Sequence, residues 1–339
     1  MKILANEGQL VRATSMTWQQ HLKSAIRDAE TLRKALGLPP ALGDLLAIEK
    51  SFGTFVPIPF LERIEPENVD DPLLRQVLPT IAEGFSSPHS SLDPNSESQM
   101  VMAPGVLQKY PGRVLLIAAK SCAVNCRYCF RRAFPYESGP TSRGEWSESL
   151  AAITADPSIE EVILSGGDPL INLDDVLAWL IGELSGIGHV RRLRIHTRFP
   201  IVIPQRVTDQ FVEVLAECQM PITFVVHVNH AQELDDNVAQ AMNRLRSIPQ
   251  LVLLNQSVLL RGVNDSVASL TALSWRLLEL GIVPYYLHQL DRVTGADHFE
   301  VTRDEGLKLI AALRESLPGY AVPRYAEEIA GERSKVVLA

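Results

Sequence analysis

The chain has 339 residues, is 46% hydrophobic and 21% charged, and carries a formal net charge of −8. That length suits about two domains or one barrel with a substantial core, and the acidic balance argues against a broad nucleic-acid footprint. No apolar run approaches the roughly 18 residues that a bilayer span needs, and 4 cysteines are too few for a disulfide scaffold.

The opening "MKILANEGQLVRATS" has one lysine and no sustained apolar stretch, so no signal peptide is expected and a cytoplasmic location follows. In a reducing cytoplasm, clustered cysteines read as metal ligands rather than disulfides. Residues 16 to about 84 read as helical and amphipathic, with "TWQQHLKSAIRDAETLRKALGL" stopping at Gly37 and Pro39–Pro40. The Ser-, Pro- and Asn-rich "FSSPHSSLDPNSESQ" (85–99) is a loop, so residues 1–99 form an N-terminal helical region and linker.

Beyond it, short β-branched runs alternate with helical stretches: "VLLIAA", "EVILS", "RRLRIHT", "ITFVVHV", "LVLLNQSVLL" and "VPYYLH". After the first interval they recur roughly every 30 residues, the length of one strand–helix unit. Residues 100–300 therefore read as an α/β fold, a partial (βα)6 barrel, followed over 301–339 by a C-terminal helix and tail. Barrels of this kind keep their chemistry at the strand C-termini.

Three of the four cysteines, Cys122, Cys126 and Cys129, fall in "CAVNCRYCFRR", just past the first strand run. Free cysteines are often packing residues, but three in one short loop point to a metal centre. A structural zinc site closes with four ligands. The fourth would have to be a distant histidine or Cys218, which lies in the helix-like "FVEVLAECQM" and reads as a core residue. Three thiolates and one vacancy fit an iron–sulfur cluster whose remaining iron takes another ligand. After the second strand comes "SGGDPL" (165–170). Its adjacent glycines let backbone approach a ligand closely, and they also suit an ordinary strand–helix turn.

The Cys-x3-Cys-x2-Cys spacing after the first strand of a partial barrel, with Tyr128 ahead of the last cysteine, resembles the radical S-adenosylmethionine (SAM) superfamily. The resemblance implies a 4Fe-4S cluster on Cys122, Cys126 and Cys129, with SAM at the iron they leave open. It also implies backbone contact to the SAM amino group from Gly166, Gly167 and Asp168, the last standing where that family usually has glutamate. From about residue 100 to the C-terminus, "KYPGRVLLI", "CRYCFRR", "SGGDPL", "TRFPIVIPQRV", "HVNH", "NQSVLLRGVND", "PYYLHQLD" and "ADHF" resemble the lysine 2,3-aminomutase family. The short chain is similar to its compact subgroup, which acts in β-lysylation of elongation factor P.

That likeness implies an isomerase dependent on pyridoxal phosphate (PLP) and SAM that converts free L-lysine to (R)-β-lysine. Lys335, in "AGERSKVVLA", matches the lysine that carries PLP, although composition alone makes it a tail lysine in water. Lys109, Tyr110 and Arg113 of "KYPGR" match the cofactor cradle, with Arg113 and Lys109 at the phosphate, a role suited to the bidentate guanidinium. Without that likeness the two cations are a solvated pair before a strand. Arg131 matches the arginine that pairs the substrate carboxylate, and Arg132 reads as structural. Asp291 and Glu328 match two carboxylates that grip the substrate ε-ammonium, Glu328 standing where the family has aspartate. Read alone, Asp291 is a helix cap or loop residue.

His227 and Gln256 match residues around SAM, or are satisfied polar residues inside a barrel, and Arg198 of "TRFP" stays unassigned. The implied partners are a downstream β-lysine ligase, elongation factor P and an electron donor such as flavodoxin, with no nucleic acid and no membrane; a homo-oligomer is left open. Three rivals remain at this point: an aminomutase acting on a different amino acid, a PLP-independent radical SAM enzyme, and a zinc- or cluster-binding structural module.

Overall fold

The computed structural model describes residues 16–40, 45–135, 139–140 and 142–339, so the leader reading of residues 1–15 lies outside the described residues. The six expected strands are present as β3 (Arg113–Ala119), β4 (Glu161–Gly166), β5 (Arg192–Thr197), β6 (Ile222–His227), β7 (Leu251–Val258) and β8 (Val283–His288). Each pairs in parallel with the next. Helices Trp146–Ala155, Asp174–Gly186, Asp209–Glu217, Asp236–Arg246 and Val267–Glu279 make the returns. The hairpin of β1 (Val101–Ala103) and β2 (Val106–Tyr110) leads antiparallel into β3.

The tail beyond residue 300 joins the same sheet. After helix Arg303–Ser316, β9 (Arg324–Glu327) pairs in parallel with β8, and β10 (Val336–Val337) returns antiparallel to β9. One ten-stranded sheet results, its strands in sequence order. Parallel strands added in order through crossovers of one hand curl towards a barrel.

Along the strands, burial alternates with the pleat. In β5, Leu193 and Ile195 are buried beneath the helices, whereas Arg194 and His196 are half-buried. On the inner face Arg194 donates to Glu161 of β4 at 2.5 Å. The apolar set thus faces outward onto the helices, and polar side chains line the lumen.

The N-terminal region is less continuous than its pattern suggests. Helix Trp18–Lys23, opened by a Thr17–Gln20 capping box, stops at Ser24, and a second helix, Ala29–Ala35, starts where Asp28 accepts from the Thr31 amide. Between them Ile26 exchanges backbone hydrogen bonds with Val56, which breaks the helical run. The rest of that region is short helices and turns that pack on the cysteine loop.

Candidate active site

The cysteine loop follows β3 and is pinned from both ends. The Asn125 amide donates to the Phe55 carbonyl and the Arg127 amide to Gln76, while the Cys129 amide reaches back to the Cys126 carbonyl. The Arg127 guanidinium is fully buried, donating to both carboxylate oxygens of Glu83 and to the Phe52 carbonyl. Arg132 donates to the same Glu83 and to the Arg127 and Gly295 carbonyls, a structural role as expected. Cys218 lies buried at the end of helix Asp209–Glu217, away from this loop.

Cys122, Cys126 and Cys129 crowd one another. Burial raises the Cys122 thiol well above its ordinary range, with Cys129, Asp168 and Cys126 adding to the effect. Burial and the neighbouring Cys126 push Cys129 up to about 12. Such thiols ionise readily only where a bound cation displaces their protons to solvent, and a soft three-sulfur donor set fits an iron–sulfur cluster. Among the described residues, no three His, Cys, Asp or Glu side chains are arranged to hold one metal ion.

The turn after β4 crosses the cysteine loop at backbone distance. The Gly167 amide donates to the Ala119 carbonyl at 2.9 Å and the Asp168 amide to Ser121 at 2.8 Å. A Cβ on Gly166, whose φ is +122°, would lie 2.5 Å from the Ala119 oxygen, and one on Gly167 would lie 2.3 Å from that of Ser121. The glycine pair is therefore required by this crossing alone. The Asp168 carboxylate faces β5, accepting from Thr197 Oγ1 and from the amides of Leu170, Arg198 and Phe199. Burial pushes it up to about 6 against those donors. Its side chain acts as a fastener between two strand ends.

Arg131 is buried at this crossing. Its Nη1 donates to Ser165 Oγ, and its Nε and Nη2 grip both carboxylate oxygens of Glu97 at 2.8 and 2.6 Å. Tyr128 donates or accepts at His227 Nε2 across 2.8 Å, joining the loop to the end of β6. Burial, with Arg198 adding, lowers His227 to about 3, so the ring is neutral. Gln256 is opposite His227 in the β6–β7 register, half-buried on the inner face.

A second polar cluster sits on the same lumen. The β9–β10 register sets Glu327 opposite Val336, and one rung further Glu328 meets Lys335 in an ion pair. Glu328 also pairs with Lys109 and accepts from the Tyr110 hydroxyl, both on β2. Burial alone would raise the Glu328 carboxyl, but Lys335, Lys109 and Tyr110 hold it below the ordinary range. Lys109 Nζ is buried without hydrogen-bond geometry to any acceptor, despite the ion pair. Arg113 stacks on the Tyr110 ring at 4.8 Å and has no carboxylate partner among the described residues. A lysine paired to Glu328 and an arginine without a carboxylate partner, beside the half-buried Lys335, suit a phosphate-bearing cofactor.

Asp291 lies near this cluster, beyond β8. Burial pushes its carboxyl up to about 7, with Lys335 opposing and Glu328 adding. The structure thus brings Lys109, Tyr110, Arg113, Asp291, Glu328 and Lys335 together at one pole of the lumen, and the cysteines, Arg131 and His227 at the other.

Several site residues carry no sequence signal of their own. His196 and His288 line the lumen between the poles; burial lowers both well below the ordinary histidine range, with Lys335 adding to each. Glu97 and Asn95, from the loop before β1, reach Arg131 and Asp291. The inward phase of β5 and β8 could have flagged the histidines; nothing local could have flagged Glu97.

Comparison with known proteins agrees with this geometry. Residues 116–266 match the radical SAM superfamily. The chain is similar to an L-lysine 2,3-aminomutase of Haemophilus influenzae, 46% identical over 340 residues and covering 100% of both chains. It is likewise 46% identical to one of Escherichia coli, over 95% of this chain and 94% of that one. The chain belongs to the L-lysine 2,3-aminomutase family of radical SAM enzymes. Within that family it is 33% identical to the Clostridium subterminale aminomutase over 94% of its own length but only 76% of the other's. No helix among the described residues is long and apolar enough to cross a membrane.

Proposed function

We propose that this enzyme exchanges the α-amino group and a β-hydrogen of L-lysine, giving (R)-β-lysine, with a 4Fe-4S cluster on Cys122, Cys126 and Cys129, SAM on that cluster and PLP on Lys335. The observation that carries the reading is that the Lys335–Glu328–Asp291 cluster and Arg131 of the cysteine loop share one lumen, Lys335 and Arg131 both acting on the buried His196 between them. The cluster with SAM supplies a carbon radical able to take hydrogen from an unactivated C–H bond, and PLP supplies a π-system to carry the unpaired electron while nitrogen migrates.

The chain's own residues supply binding and position. Arg131 holds Glu97 with its Nε/Nη2 fork and turns Nη1 towards Ser165 and the glycine turn, so a substrate carboxylate at the cysteine pole would meet Nη1 or take the place of Glu97. Asp291 and Glu328 place two carboxylates at the other pole, suited to a side-chain ammonium. Glu328 is engaged by Lys335 in the structure described here. Were Lys335 to carry the cofactor and Lys109 its phosphate, Glu328 would lose two of its three partners and could take up a substrate ammonium. Arg113 and Lys109 would hold the phosphate. His196 and His288, kept neutral by burial, leave the lumen without extra positive charge.

Two acids favour a cationic side chain over a glutamate-like one, since like charges repel. On the sequence resemblance to the compact subgroup alone, the proposal extends to supplying β-lysine to a ligase that modifies elongation factor P, with a flavodoxin-type electron donor. Anaerobic incubation of reconstituted protein with dithionite, SAM, PLP and L-lysine tests the reaction. β-Lysine should accumulate; its absence, with both cofactors loaded, would refute this activity.

A further inference from the structure

Arg198 is the first residue past β5, and its guanidinium lies behind the cysteine loop. Nη1 donates to Cys126 Sγ at 2.7 Å, while Nη2 donates to Glu233 at 2.8 Å and to Gln76 at 2.6 Å. All three polar partners of this cation are fixed. Glu233 is fully buried and also accepts from the Asn229 and His230 amides and from Gln76 Nε2. Gln76, equally buried, takes a further bond from Asn229 and one from Tyr128. The ring faces of Phe60 and Tyr128 stand 5.4 and 5.8 Å from the guanidinium carbon. The result is a charge pair locked in line, its positive end on a cysteine sulfur and its negative end behind.

We propose that the Arg198–Glu233 pair sets the reduction potential of the iron–sulfur cluster, through the hydrogen bond and charge that Arg198 directs at the ligand sulfur of Cys126. This rests on the reading of the cysteine loop as the cluster site. The step concerned is one electron passing from an external one-electron donor into the oxidised cluster, whose charge falls by one; no bond is made or broken and no proton moves. Added negative charge spreads onto the ligand sulfurs, so an N–H donor and a cation there favour the reduced form. Glu233 opposes this from further away and, by pairing, holds the guanidinium in its orientation. A permanently charged guanidinium suits the task because its charge does not vary with pH.

The two charges must therefore act with opposite sign. In anaerobic EPR-monitored redox titrations without SAM, Arg198→Gln should shift the midpoint to more negative potential, and Glu233→Gln should shift it to more positive potential. Arg198→Lys, which keeps the charge but loses the forked geometry, should fall between wild type and Arg198→Gln. Arg244→Gln, which breaks an exposed pair with Asp209 on the outer helices, should not move it. Iron and sulfide are measured on each preparation, so failure of the wild type to hold a cluster would refute the cluster site itself. If the wild type loads and the variants leave the midpoint unchanged, or move it in one common direction, the proposed tuning is wrong. Should Arg198→Gln not load, Arg198→Lys and Glu233→Gln decide by the same rule of opposite signs.

Discussion

Glu328 and Lys335 face each other across the β9–β10 hairpin, joined by an ion pair that the strand register itself dictates. A lysine four residues from the C-terminus becomes a lumen residue because β10 turns the chain back into the sheet. Lys335→Ala should abolish PLP retention, read by mass spectrometry of cofactor released from the purified protein. Undiminished PLP in that variant would place the anchor elsewhere.

The proposed role of Asp291 at the substrate ammonium predicts a pH-dependent reaction. It accepts an ammonium only when ionised, and burial holds its free-protein value at about 7. Below that pH the carboxyl is protonated, so kcat/KM for lysine should fall by about tenfold per unit as pH drops through the acid limb. An arriving cation favours the charged form and lowers the value in the complex. Asp291→Asn should raise KM and flatten this limb; an unchanged limb would exclude Asp291 as its source.

Arg131→Lys tests the carboxylate site. Lysine keeps the charge but cannot present a planar fork, and a hydrogen bond to a charged group contributes about 1.5–3 kcal/mol. KM for lysine should rise roughly 10- to 100-fold, with PLP content unchanged. An unaltered KM would show that the Glu97-bound fork never meets substrate.

Glu83 links two arginines of the cysteine loop, Arg127 and Arg132, and its side chain is 1% exposed. Removing one partner leaves buried positive charge uncompensated. Glu83→Ala should lower unfolding free energy by roughly 3–5 kcal/mol, measured by chemical denaturation. A loss below about 1 kcal/mol, the range of surface pairs, would contradict the buried network.

Much of this architecture could be read from residue order because strand and helix periods are local properties. The six β-branched runs became β3 to β8, and the cysteine loop fell at a strand C-terminus as barrel geometry requires. β9 escaped notice because "RYAE" is only 4 residues and shows no clean alternation; its strand character comes from pairing with β8. The helical reading of the N-terminal region failed at Ile26 for the same reason, a tertiary bridge to Val56 overriding local propensity. In the site, the cysteines and "KYPGR" were visible as motifs. The Glu97–Arg131 and Glu233–Arg198 pairs were not, since each joins residues 34 or 35 positions apart through the folded backbone. Asp168 was legible as part of a glycine turn, but its fastening of β5 shows only in three dimensions.

The most direct test of the account is the iron, sulfide and PLP content of the protein prepared and reconstituted without oxygen. About four iron and four sulfide per chain, together with one PLP, are expected, and Cys126→Ser should lose the iron while keeping the PLP. Zinc without sulfide, or a fully loaded cluster in a chain that takes up no PLP, would contradict a lumen built for both cofactors.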